Sequence, residues 1–176
     1  MAKRIMDARP DWLKTERVTG IYSVSGHMSE DFADYINFWK HNGYWFFDSP
    51  QVIADVARDN SIDLSGTKLF FYEVYEFEFD EGQWKEFQPE PSFKTDVVVP
   101  TEKTLEGFDV VTFSARTSAE CSPLSCCALA SEVETNAHCL LVSFERAKEL
   151  LEAGSFTNTE PGPYRILAVY SVPQWP

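Results

Sequence analysis

The feature that most constrains this sequence is a run of aromatic and aliphatic residues at positions 69–79. Apolar residues occupy both alternating faces of its first half, whereas Glu76 and Glu78 lie on one face of its second half. This alternation predicts a β-strand that is buried on both faces at its start and exposed on one face at its end. Residues 80–83 predict a turn, so that residues 84–88 return as the second strand of a hairpin.

The predicted register of this hairpin pairs Phe79 with Trp84. Glu78 then lies opposite Lys85, and opposite charges stabilise a cross-strand pair. The same register places Trp84 on the face of the sheet that carries Phe77 and Phe79. The hairpin therefore predicts an antiparallel part of the sheet.

Shorter patterns complete the predicted secondary structure. Capping residues followed by apolar positions at helical spacing predict short helices that begin near Ser29, Ser49, Ser122 and Ser143. Further strands are predicted at residues 18–24, 96–99, 108–115, 138–142 and 164–172. Because helices and strands neither alternate strictly nor group at one end, we predict an α+β fold. Its sheet is mixed or mainly antiparallel, with a long aromatic hairpin and about four short helices.

Chain length and composition favour one domain. The chain has 176 residues, a length typical of a single domain. We predict an N-terminal arm at residues 1–17, because this segment is charged and Pro10 prevents a regular helix through it. Residues 18–176 then form a single globular domain.

The sequence carries neither a phosphate-binding glycine loop nor a dinucleotide fingerprint, so we predict no cofactor and no metal.

The charge of the chain limits its partners. The formal net charge is −13, from 15 Lys and Arg against 28 Asp and Glu. Proteins gain affinity for nucleic acid by neutralising phosphates, so this excess of acids disfavours nucleic acid and anionic membranes as partners.

No apolar run approaches the roughly 18 residues of a membrane span, and the first residues do not predict a secretory segment. The cysteines fall close together, which predicts reduced thiols and a cytoplasmic location.

A thiol segment provides the first candidate catalytic residues. Cys121 precedes a predicted helix N-terminus, where unpaired N–H groups lower the pKa of a thiol, and His138 is a possible base if the fold brings it close. The competing interpretation is that Cys121, Cys126, Cys127 and Cys139 are small core residues, since free cysteine is among the most buried residue types. Zinc is a third interpretation, but the spacing of these ligands is unlike that of a zinc knuckle.

Glu73 is a further candidate catalytic residue, because it lies on the apolar face of the strand at 69–79. A buried carboxylate must be paired, hydrogen-bonded or neutral. A raised pKa would suit a general acid. The simpler interpretation, which we favour, is a structural ion pair with an arginine such as Arg165.

The acidic hairpin is the last candidate site. Residues 73–90 carry seven acidic residues and one lysine. Carboxylates interleaved with aromatic rings are typical of a surface that docks a basic protein. An edge hairpin whose charges protect against aggregation is an equally simple interpretation. The predicted partner-binding residues are Glu76, Glu78, Glu81, Trp84 and Glu86.

Two functions of different classes follow from these observations. The first is a non-enzymatic acidic protein-interaction module, inhibitor- or immunity-like, that binds a basic partner. The alternative is a thiol-dependent enzyme that uses Cys121 with His138, and the sequence leaves open which of the two applies. Alkylation distinguishes them, because a catalytic thiolate reacts fast at neutral pH and a packed thiol does not.

Overall fold

The computed structural model describes residues 2–4, 11–24, 46–87, 97–113 and 121–173. Five β-strands, two α-helices and one short 3-10 helix lie in this part of the chain. In chain order they are β1 (Ala2–Arg4), α1 (Pro50–Asp59), β2 (Thr67–Glu78), β3 (Gln83–Phe87), β4 (Thr104–Thr112), the 3-10 helix (Leu129–Ser131), α2 (Phe144–Glu152) and β5 (Tyr164–Val172).

The five strands form one antiparallel sheet around β2. β5 pairs along one edge of β2, from Leu69↔Val172 to Tyr75↔Ile166, and β4 pairs with the far edge of β5. β1 and β3 pair with opposite ends of β2, so they share the edge that β5 leaves available. The antiparallel sheet with helices confirms the coarse α+β prediction.

The long aromatic hairpin is confirmed as β2 and β3, but its predicted register is wrong by two residues. Trp84 lies opposite Phe77 rather than Phe79, and Lys85 lies opposite Glu76 rather than Glu78. Because side chains alternate between faces with a period of two, this shift leaves each side chain on its predicted face. Trp84 therefore still lies beside Phe77.

The turn has the expected four residues but lies one residue earlier than predicted, and this accounts for the register. β2 ends at Glu78, and residues 79–82 form the turn. The N–H of Gly82 donates to the carbonyl oxygen of Glu78 at 2.8 Å, and Gly82 has φ +65°, a conformation that favours glycine. Phe79 thus lies in the turn and not in the strand.

Two of the predicted helices are confirmed as α1 and α2. Ser49 caps α1 by accepting a hydrogen bond from the N–H of Val52, and Ser143 caps α2 in the same way with Arg146. The prediction of about four short helices is not met, since the described residues contain only these two α-helices. The helix predicted to begin at Ser29 lies outside the described residues.

The prediction of a helix that begins at Ser122 is wrong. One hydrogen-bonded turn closes between the carbonyl of Ser122 and the N–H of Cys126, and only the 3-10 helix Leu129–Ser131 follows. The Ser122 hydroxyl donates to a side-chain oxygen of Asp109 at 2.5 Å and is not a helix cap. Ala128 then takes a left-handed conformation, with φ 57°, which ends any helical path.

Several predicted strands differ from the structure. β5 matches the prediction at 164–172, and β4 overlaps the one at 108–115 but ends at Thr112. Residues 18–24, 97–99 and 138–142 form no strand. The first and last of these segments exchange isolated hydrogen bonds, such as that from the Tyr22 N–H to the His138 carbonyl at 3.1 Å.

Both faces of the sheet are buried, one of them partly against α2. Val110 and Ile166 face one core cluster, while Val111 and Leu167, one position along, face the other. The first cluster is completed by Leu13, Ile21, Leu124, Leu141, Ala147, Leu150 and Phe156. The second is completed by Tyr22, Val24, Phe46, Phe70, Val74, Leu140 and Val169.

Residues 1–17 are predicted to form an N-terminal arm. The two parts of this segment that the structure describes, 2–4 and 11–17, both contact the rest of the domain. β1 extends the sheet, and Leu13 is fully buried in the first core cluster. The indole N–H of Trp12 donates to the Ser125 carbonyl at 3.0 Å, and the Arg17 guanidinium donates to the Ala130 carbonyl at 3.2 Å. These contacts fasten residues 11–17 to the segment that follows Cys121.

Asp109 connects three parts of the chain inside the core. Its side chain is fully buried on β4. It accepts hydrogen bonds from the Val24 N–H at 2.8 Å, from the Ser122 hydroxyl at 2.5 Å and from the Val110 N–H at 3.0 Å. A buried carboxyl that satisfies these donors holds the two flanking loops against the sheet.

We expect Asp109→Ala to lower the free energy of unfolding by about 2–4 kcal/mol, because it leaves the Val24 N–H and the Ser122 hydroxyl without their acceptor. Urea unfolding followed by tryptophan fluorescence measures this loss. Asp80→Ala, at an exposed turn position, is the matched control and should change stability by less than about 0.5 kcal/mol. Equal effects of the two substitutions would contradict the assigned role.

Candidate functional site

The end of the β2–β3 hairpin exposes a large aromatic side chain among carboxylates. We call residues Glu78, Phe79, Asp80 and Glu81 the hairpin tip. The Phe79 side chain is 83% exposed, more than the other large hydrophobic residues that the structure describes as exposed. Phe79 lies in the turn that Gly82 closes, and its ring meets Phe77 edge to face with a centroid distance of 5.2 Å.

The carboxylates of the hairpin tip gather around one lysine. Lys85 Nζ donates to Glu81 Oε1 at 2.6 Å and lies 3.9 Å from Glu78 Oε2. Hydrogen bonds from Lys85 and Gln83 lower the pKa of Glu81, so this carboxylate is ionised at neutral pH. Asp80 is exposed beside them. One cation thus contacts two of the three acidic side chains of the tip, and the three carboxylates outnumber it.

Glu76 lies on the same hairpin but is engaged within the fold. Arg165 Nη2 donates to Glu76 Oε2 at 2.8 Å. The guanidinium of Arg165 is sandwiched between the rings of Phe87 and Phe113, at 4.1 and 4.4 Å from their centroids. The Arg165 side chain is only 15% exposed. Its ion pair fastens β2 to β5, and its cation–π contact with Phe87 adds β3 to this cluster.

Trp84 packs inward and is not an exposed ring. It is half-buried and meets Phe77 and Phe144 edge to face, with centroid distances of 5.8 and 6.1 Å. Phe144 belongs to α2, so Trp84 connects the hairpin to that helix. Between the tip and the C-terminal end of α2 lies a groove of about 370 Å³. Its lining includes Phe77, Phe79, Trp84, Leu151, Tyr164 and Arg165.

Glu73 forms the predicted structural ion pair, but its partner is Lys103 and not an arginine such as Arg165. Lys103 Nζ donates to Glu73 Oε1 at 2.6 Å, and the Tyr170 hydroxyl donates to Oε2 at 2.9 Å. The Tyr75 hydroxyl completes the cluster at 3.3 Å. Burial raises the pKa of Glu73, but these hydrogen bonds outweigh it, so the pKa lies below its ordinary value. A lowered pKa opposes a role as general acid.

Glu86 lies opposite Tyr75 on β3 and is exposed. Burial and the nearby carboxylates of Glu73 and Glu86 raise the pKa of the Tyr75 hydroxyl. Burial and the hydrogen bond to Glu73 raise the pKa of Tyr170 to about 12. Both hydroxyls are therefore protonated donors that hold Glu73 in its charged form.

The thiol segment lacks the features of a catalytic pair. Cys121 is 4% exposed, and the hydrogen bond with Cys126 together with burial raises the pKa of its thiol. The helix whose N-terminus was expected to stabilise a thiolate is absent. Among the hydrogen bonds of the described residues, none joins Cys121 to His138. The His138 ring instead stacks on Tyr22 at 3.9 Å, with Nε2 3.8 Å from Glu106 Oε2.

Within the described ranges, no group of three or more His, Cys, Asp and Glu side chains is placed to hold a metal ion. No helix in the same part of the chain is long and apolar enough to cross a membrane. The chain matches no protein-family model, no curated protein and no solved structure. The hairpin tip and the thiol segment are therefore the features that bear on function.

Sequence reasoning missed two residues of these clusters. The alternating pattern places Phe79 on a strand face. Its exposure becomes evident only once the end of β2 is known. Lys103 precedes β4 by one residue, and nothing in its local sequence points to Glu73. The sequence does carry one signal that Phe79 lies in the turn, and that signal is Gly82. A glycine with positive φ at the last turn position leaves the residues before it in the turn.

Cys121 should resist alkylation in the folded protein, because its thiol is buried and held protonated. Iodoacetamide at neutral pH should modify the exposed Cys127 first, and Cys121 more slowly by roughly a hundredfold. Peptide mapping at timed intervals measures both rates. Faster modification of Cys121 than of Cys127 would restore the thiol-enzyme interpretation.

Glu73→Gln should lower stability by about 1 kcal/mol at pH 7, because it removes a half-buried ion pair with Lys103. The lowered pKa of Glu73 means that this stabilisation is present above the ordinary value of 4.5 and is lost as the pH falls through the lowered pKa. Urea unfolding between pH 7 and pH 2 should show that the difference in free energy of unfolding between Glu73→Gln and wild type decreases as the pH falls. Glu102→Gln, at an exposed position, should show no such trend; a difference for Glu73→Gln that does not change with pH would contradict the ion-pair role.

Proposed function

We propose that this protein is a non-enzymatic acidic interaction module that docks a basic protein through its hairpin tip. The observation that carries the proposal is the 83% exposure of Phe79 between the carboxylates of Glu78, Asp80 and Glu81. Large aromatic residues are common hot spots at protein interfaces, and charged rims steer a partner of opposite sign.

The exposed ring supports a docking role because folding does not require it. Phe77 and Trp84 bury their rings between the hairpin and α2, whereas Phe79 contributes one edge contact to the fold. Burying a phenylalanine against a partner gains about 1.5–3 kcal/mol of transfer free energy. That gain is available at the tip without disturbing the core.

The charge of the hairpin supports a basic partner. The described residues of the hairpin carry six carboxylates, and among the ion pairs of the described residues three cations contact four of these carboxylates. The carboxylates are Glu73, Glu76, Glu78, Asp80, Glu81 and Glu86. The cations are Lys85, Lys103 and Arg165. The surplus is negative, in keeping with a chain whose net charge is −13.

The groove beside the tip adds a place for a partner side chain. Its apolar wall is formed by Phe79, Leu151 and Tyr164, and Glu76 with Arg165 gives it a polar end. An inhibitor- or immunity-like protein that neutralises a cationic toxin or nuclease has this size and charge. The thiol-enzyme alternative receives no comparable support, since Cys121 is buried and protonated.

Binding kinetics test the proposal. The immobilised protein first captures basic proteins from a cell extract at low salt, and one captured protein is then purified. We expect the triple variant Glu78→Gln, Asp80→Asn, Glu81→Gln to associate with it about tenfold more slowly and with weaker salt dependence. Phe79→Ala should mainly speed dissociation, while urea unfolding shows its stability unchanged.

A second triple variant removes the same charge elsewhere. Glu102, Glu132 and Glu134 are exposed and lie outside the hairpin, so Glu102→Gln, Glu132→Gln, Glu134→Gln should leave association close to wild type. If both triple variants slow association equally, net charge and not the tip attracts the partner. If the tip variants capture the same proteins as wild type, the hairpin tip is not a docking surface.

A further inference from the structure

A cavity of about 210 Å³ lies where β2, the start of α1 and residues 97–100 meet. Phe70, Tyr72 and Val74 share the face of β2 that belongs to the second core cluster, and all three line the cavity. The ring of Tyr72 packs against Phe46, another lining residue, at a centroid distance of 5.3 Å. The cavity therefore borders the core of the domain.

Most of the cavity wall is apolar. Residues 97–100 are held against the segment before α1, because the Val98 N–H donates to the Asp48 carbonyl oxygen at 2.9 Å. An apolar cavity of about 150 Å³ is large enough to hold benzene. The cavity of this protein therefore has room for a molecule of about eight or nine non-hydrogen atoms. Its apolar lining includes Phe47, Ile53, Leu69, Val97, Val98 and Val172.

Tyr72 gives this lining a buried hydroxyl group. The hydroxyl oxygen has no hydrogen-bond partner among the residues that the structure describes. Burial, followed by the charge of Asp109, raises the pKa of the Tyr72 phenol, so the group keeps its proton at neutral pH. Ser49 also contributes a hydroxyl to the lining, but it already accepts the hydrogen bond from Val52 that caps α1. Because a buried donor without an acceptor is costly, an acceptor that enters the cavity gains most at Tyr72.

The charged residues of the lining disfavour an anionic ligand. Asp48, Glu73 and Glu86 line the cavity, whereas none of the described lining residues is Lys, Arg or His. A carboxylate or phosphate would therefore enter against like charges. A protonated amine offers only donors and would leave the Tyr72 proton unsatisfied. A neutral carbonyl oxygen accepts that proton without bringing a charge into the cavity.

We propose that this cavity binds a small neutral molecule, aromatic or branched aliphatic, whose carbonyl oxygen accepts a hydrogen bond from the Tyr72 hydroxyl. The apolar part of the ligand packs against the cavity wall, and this burial supplies most of the affinity. The hydrogen bond selects carbonyl compounds from other apolar molecules of the same shape. The site is independent of the proposed docking function, because it shares no residue with the hairpin tip.

Two probes of nearly the same shape test the proposal in the full chain. Acetophenone carries a carbonyl oxygen, and cumene has a methyl group in its place. Titrations followed through the methyl resonances of Ile53, a lining residue, give both dissociation constants. Tyr72→Phe should weaken acetophenone about tenfold relative to cumene, because it removes one buried hydrogen bond. Without ligand, this variant should unfold at no lower urea concentration than wild type, since the lost hydroxyl has no partner among the described residues.

Tyr170→Phe is the matched control. It removes a hydroxyl that donates to Glu73 at 2.9 Å, and it should leave the ratio of the two dissociation constants unchanged. Val97→Phe places a larger ring at a part-exposed lining position and should abolish the Ile53 shifts with both probes. The assignment is overturned if acetophenone leaves the Ile53 resonances of wild type unmoved, if the shifts survive in Val97→Phe, or if Tyr72→Phe keeps the wild-type ratio.

Discussion

The pairing of β2 with β5 is the contact on which the rest of this structure depends. Seven residue pairs, from Leu69↔Val172 to Tyr75↔Ile166, join the middle of the sequence to its last strand. β4 reaches the sheet only through β5, and β1 and β3 reach it only through β2. Two core clusters of the described residues lie on the opposite faces of this pair, and a third, which contains α1, includes Leu69 and packs against Val172.

Local sequence signals predicted those parts of the fold whose stability is local. The caps at Ser49 and Ser143 and the alternation of β2 are complete within a few residues, and α1, α2 and the hairpin follow from them. Ser122 shows where such signals fail. Its hydroxyl has the chemistry of a cap, but Asp109 on another strand takes its hydrogen bond, and no local pattern encodes that contact.

The candidate site was predicted in outline and misjudged in detail for the same reason. The composition of the hairpin shows that it is acidic, but the alternation of its apolar and polar residues does not show where β2 ends. Trp84 and Phe79 therefore exchange roles, with Trp84 packed on Phe144 and Phe79 exposed. Charge pairing was also nonlocal, since Arg165 lies beside Glu76 on the neighbouring strand while Lys103 reaches Glu73 from the loop before β4.

The placement of β5 has a consequence for the order in which the chain assembles. Glu76 and Arg165, which meet across this strand pair, are separated by 89 residues. Contacts this distant raise the contact order of a protein and slow its folding, because loop closure must precede the gain from pairing. During synthesis, one whole edge of β2 remains without its partner until the last strand emerges. Charged side chains on an unpaired strand disfavour pairing with other chains, and β2 carries Glu76 and Glu78 near its end.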